Sequence, residues 1–212
     1  MKNQWNKFSV PLGMVDYINP ILYTITITTI IKSIMSSIES PFNIILLIGA
    51  ILSICFGFFI PTGKVLVGLG MVEFKMPVSL VFCVNSGIFL SGMVLLKYVI
   101  KIKPLTWTLL LIFILALLVL IYMLHKKINT IAVLIGAFGY LFTYISLIIM
   151  SCNAQMVLPI ILYAFAIILF IMLCGIGIKA NLKNPKVHWA IEISNIICQL
   201  LVMIGTILLL KG

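Results

Sequence analysis

The stretch Met156–Ile178, "MVLPIILYAFAIILFIMLCGIGI", carries no charged side chain. A bilayer core about 30 Å thick is crossed by roughly 20 apolar residues in a helix rising 1.5 Å each. This run meets that length and offers no polar face to water, so its reading decides the fold. Its solvent is lipid.

Working outward from it, the same reading recurs along the chain. Apolar spans fall at 19–38, 43–60, 78–100, 105–124, 129–150, 156–178 and 188–210. Residues 1–212 therefore read as a single transmembrane domain. The expected fold is all-α, a polytopic integral membrane bundle of about seven helices, bounded by six and eight. Composition agrees: 64% of residues are hydrophobic, 8% are charged and mean hydropathy is +1.33. Soluble domains average about 45–50% apolar and about 25% charged.

Punctuation separates the spans. Asn19-Pro20 reads as a helix cap followed by a first-turn proline. Ser40-Pro41, Pro61-Thr62-Gly63, Lys103-Pro104, His125-Lys126-Lys127 and Asn184-Pro185 break the later runs. The segment Gly63–Met76, "GKVLVGLGMVEFKM", is apolar and glycine-rich but too short to span. It reads as an interfacial helix, with a re-entrant loop or an eighth distorted span as alternatives.

All 14 basic residues are lysines, and they sit mostly in short connections. That pattern reports membrane topology and not a nucleic-acid surface. Nine of them, including Lys64, fall on one side when the N-terminus is placed inside, against four outside. The expectation is a cell-membrane protein with a cytoplasmic N-terminus and an external C-terminus. Without arginine the chain lacks a bidentate fork for phosphate or carboxylate. The five cysteines form no Cys-x-x-Cys pair and read as small buried hydrophobes. No metal or cofactor motif is present, so none is expected.

The polar residues inside spans carry the functional question. In "VHWAIEISNIICQ", Val187–Gln199, the residues His188, Glu192, Asn195 and Gln199 fall on one helical face, extended by Thr206. A stripe of this kind is costly against lipid and should face the bundle interior. Asn and Gln alone would serve as interhelical glue. Glu192 raises the alternative of a site. Thr24, Thr28, Lys32 and Ser36 form a second arc in the first span, with Lys32 either buried or snorkelling outward. Asn85 lies about 10 Å into the third span. Gly87, Gly92, Gly136 and Gly139 mark places where helices approach closely.

The expected function is a small multi-pass permease moving a small solute or ion along an intramembrane polar path. Lys32, Asn85, Glu192, Asn195 and Gln199 would line that path, with Glu192 as the proton-coupling carboxylate. Thr28, Glu73 and His188 are secondary candidates. The first alternative is a membrane-embedded enzyme acting on a lipid, with Glu192 and His188 as acid and base and Glu73 as their partner. The second is a non-catalytic subunit or sensor whose polar stripes bind another membrane protein. Membrane lipid is a partner in every case. A shared cavity between the first and last spans separates the permease from the subunit.

Overall fold

The computed structural model describes residues 9–71, 78–100, 129–179 and 185–211, with isolated positions at 108, 111, 115 and 122. The expected span at 105–124 lies outside the described residues apart from those four positions. Everything ordered into elements is helical: α1 (Val10–Asp16), α2 (Ile18–Ile34), α3 (Phe42–Gly68), α4 (Val78–Ile100), α5 (Asn129–Asn153), α6 (Val157–Lys179) and α7 (Pro185–Lys211). A 3₁₀ turn at Met35–Ser37 follows α2. Among the described residues six helices are long and apolar enough to cross a membrane, α1 and α2 together making the first. The protein is a polytopic helical membrane bundle.

Two boundaries depart from the sequence reading. Asn19-Pro20 does not open the first helix. The backbone stays helical through Tyr17, α2 starts at Ile18, and no side chain caps it. Proline is harmless in a first turn because its missing N–H has no partner there. The Asn19 amide is committed elsewhere, to the Asp16 and Glu192 carboxylates.

The second departure is larger. Pro61 does not end the second span, and α3 continues to Gly68. Gly63–Gly68 is therefore membrane helix and not a separate interfacial element. Residues 72–77 lie outside the described residues. A mid-helix proline leaves the carbonyl four residues back without its donor, here that of Gly57. Tertiary packing offsets that loss. Pro61 is fully buried, and α1 packs so closely on this turn that a Cβ at Gly13 would meet Val65 within 2.8 Å.

The spans pack in chain order. α2 touches α3, α3 touches α4, α4 touches α5, α5 touches α6, α6 touches α7, and α7 returns to α2. Among the described helices the neighbours form a closed cycle. Glycines set its tightest seams. A Cβ at Gly49 would lie 2.8 Å from the Gly87 carbonyl, and Gly92 and Gly139 meet backbone to backbone. These are the close approaches expected from Gly87, Gly92, Gly136 and Gly139.

Contact order gives direction. α3 and α4 pair Phe42 with Lys97 and Gly49 with Leu90, so they are antiparallel. Between α4 and α5 the register ascends together: Asn85 meets Gly136, Phe89 meets Gly139 and Phe142, and Gly92 meets Thr143. That pair is parallel. Around Phe42, Val94 and Leu147 the helices are joined by a continuous apolar core.

Candidate functional site

The candidate site is built where the start of α2, the end of α3 and the start of α7 converge. Asp16 is the last residue of α1, Lys64 lies one turn before the end of α3, and Glu192 lies about 10 Å into α7. Lys64 Nζ sits 2.6 Å from Asp16 Oδ2 and 2.8 Å from Glu192 Oε1. Asn19 closes the cluster, its amide nitrogen donating at 3.3 Å to Asp16 Oδ1 and at 3.2 Å to Glu192 Oε2. Asp16, Lys64 and Glu192 are 7%, 7% and 8% exposed.

Burial makes the charge count consequential. Taking an ion out of water costs several kcal/mol, repaid only by close, well-oriented partners. Among the described residues the cluster sets two carboxylates against one ammonium.

A cavity of about 150 Å³ adjoins the cluster. Asp16 and Asn19 form one end of its lining, and Tyr23, Ser53, Tyr140, Asn195 and Gln199 supply the remaining polar groups. Pro20, Gly57, Ile60, Pro61, Val84 and Ile88 supply the apolar wall. The Tyr23 hydroxyl lies 3.1 Å from Ser53 Oγ, and the Gln199 side chain is buried. Beyond the cavity, aromatic side chains pack against one another. Tyr23 meets Tyr140 edge-on at 6.4 Å, and Tyr140, Tyr144 and Phe170 stack within 6 Å of one another.

No family model, curated protein or solved structure matches the chain.

The structure brings three of the sequence-predicted residues together. Glu192 holds the ion cluster, and Asn195 and Gln199 line the cavity beyond it. Thr206, on the same stripe, is fully buried, 3.3 Å from the Tyr163 hydroxyl. The remaining candidates lie elsewhere. Lys32 is exposed near the far end of α2. Thr28 is exposed and returns its hydroxyl to the Thr24 carbonyl at 2.6 Å, as Thr24 does to Pro20. Asn85 donates to the Val81 carbonyl of its own helix and packs against Gly136. His188 is half-buried and is not among the described residues lining the cavity. Glu73 lies outside the described residues.

Asp16 and Lys64 were not singled out from the sequence. Asp16 precedes the first strongly apolar run, and Lys64 follows Pro61, where the helix was expected to stop. One signal was available. "FFIPTGKVLVG" stays apolar on both sides of Pro61, so Lys64 sits inside an apolar run and needs a buried acid.

Proposed function

We propose that the protein is a small permease in which the Asp16–Lys64–Glu192 cluster is the ion-coupled gate of a one-sided central cavity. The observation that carries this reading is a buried cluster of two carboxylates around one ammonium, contiguous with a cavity lined by several spans. Intramembrane ionisable residues are expensive, and those facing a cavity mark ion and substrate pathways. The cavity adjoins the cluster on one side and the aromatic packing of Tyr140, Tyr144 and Phe170 on the other, which suits a carrier resting with one side accessible. The cluster ties α1, α3 and α7 together beside the cavity. A proton arriving on Glu192 removes one attraction holding Lys64 and loosens that tie.

The rival readings have less to support them. The enzyme reading needs Glu192 available to a substrate, and Glu192 is engaged by Lys64 and Asn19. The subunit reading needs outward polar groups seeking a partner. The outward threonines of α2 already satisfy their hydroxyls on their own helix.

The test is reconstitution of the purified protein into vesicles holding a pH-sensitive dye. A panel of amines, carboxylates, polyols and monovalent cations is applied under a proton gradient. At least one class is expected to elicit proton flux that Glu192→Gln abolishes. Failure of every class with correctly folded protein refutes the permease reading.

A further inference from the structure

The cavity also carries information about its cargo. We propose that it takes a small alkylammonium ion, and that Lys64 is the built-in competitor for the same carboxylate. This inference rests on the permease reading.

Size comes first. A cavity of about 150 Å³ is comparable to one that holds a benzene molecule, about six heavy atoms. Drug-sized ligands occupy about 300–1,000 Å³, so the solute is small.

Charge comes second. The one carboxylate among the described lining residues belongs to Asp16, and no cationic side chain is among them. Asp16 is 7% exposed, its Oδ1 accepts from Asn19, and its Oδ2 is ion-paired with Lys64 at 2.6 Å, so a ligand cation reaches this carboxylate by displacing Lys64. An anion in the same place would face the carboxylate without a compensating fork.

Chemistry separates an organic cation from a metal. Ca²⁺ takes about six to eight oxygen ligands, and Mg²⁺ a near-ideal octahedron. Here Pro20, Ile60, Pro61, Val84 and Ile88 make much of the wall apolar. An alkylammonium fits that mixture. Its N–H groups meet Asp16, its carbon chain meets the apolar wall, and the tyrosines and amides accept any second polar group. The Lys64 ammonium, 2.6 Å from Asp16 and 2.8 Å from Glu192, already demonstrates that a primary ammonium suits these carboxylates. An arriving ammonium takes Asp16 and leaves Lys64 on Glu192. No carboxylate is left bare during the exchange, while the tie between α1 and α3 is released.

The probe is ethanolamine, protonated at neutral pH, with glycerol and acetate as comparators of similar size. Melting temperature is measured on the detergent-purified protein, and radiolabelled uptake on vesicles with protein-free vesicles as baseline. Ethanolamine is expected to raise the melting temperature and to enter saturably. Acetate, repelled by the same carboxylate, is expected to enter at least about tenfold more slowly. Asp16→Asn should abolish the ethanolamine response. A second variant guards against misfolding of the first. Lys64→Ala removes the competitor, and added ethylammonium should restore its melting temperature where ethanol does not. Silence toward ethanolamine in both assays on the unmodified protein overturns the ammonium assignment. If another solute class still drives proton flux, the permease reading survives that failure. If none does, both fall.

Discussion

At the scale of single residues, the cluster makes Glu192 and Lys64 unequal. Glu192→Gln keeps one oxygen to accept from Lys64, loses the acceptor that faces Asn19, and leaves the Asp16–Lys64 pair intact. Thermal stability should therefore fall only modestly, by about 1–3 kcal/mol, while the proposed proton-linked flux disappears. Lys64→Met instead leaves two buried carboxylates without their ammonium, and losing one partner of such a pair costs about 3–5 kcal/mol. Adding Glu192→Leu to Lys64→Met should recover part of that loss, because one bare carboxylate goes with it. Unfolding in a single detergent checks all three, and a further loss in the double variant contradicts the cluster. Along the stripe, Gln199→Leu should cost more than Asn195→Leu, within about 0.6–2 kcal/mol each. Gln199 is 3% exposed and deep in the bundle, whereas Asn195 is half-buried. The helical period made Glu192, Asn195 and Gln199 legible because residues on one face must share one environment. The same period grouped Thr24, Thr28 and Lys32 but could not say whether their face looks inward. Their hydroxyls bond back to carbonyls four residues earlier, an option that periodicity does not register.

At the scale of elements, glycine positions that look alike in sequence differ in what surrounds them. Gly87 lies against the α3 backbone, where a Cβ would come within 2.6 Å of the Ser53 nitrogen. Gly57, on the cavity wall, would place its Cβ 3.6 Å from Pro20, an ordinary contact. Gly87→Ala should therefore destabilise the bundle by about 1–3 kcal/mol through overpacking. Gly57→Ala should be neutral or stabilise by up to about 1 kcal/mol through helix propensity. Equal melting temperatures for the two variants would show that the α3–α4 seam is looser than described. Span cores were legible element by element, since an uncharged run of membrane length has few other uses. Helix ends were less so. Pro61 reads as a stop because the isolated chain loses a hydrogen bond there. The packing of α1 that compensates for it comes from residues more than forty positions away.

At the scale of the whole molecule, the parallel pairing of α4 and α5 constrains how the chain threads the bilayer. Two parallel neighbours begin on the same side, so reporter fusions just after Ile100 and just before Asn129 should report opposite faces. Fusions at Lys183 and at Gly212 should also disagree, with Lys183 cytoplasmic. Agreement within either pair rules out the threading. The cluster has a further consequence in time, because the chain is made from one end. Asp16 and Lys64 enter the membrane within the first two spans and can neutralise each other early. Glu192 arrives only with the last span, 128 residues after Lys64. A nascent chain halted before Pro185 carries a balanced pair, whereas the finished chain brings a second carboxylate to an ammonium already engaged. Insertion of α7 is thus the step that adds the second carboxylate to the cluster. A fragment ending at 184 should insert stably but conduct nothing, while full-length Lys64→Met should be the species that cellular proteolysis removes first.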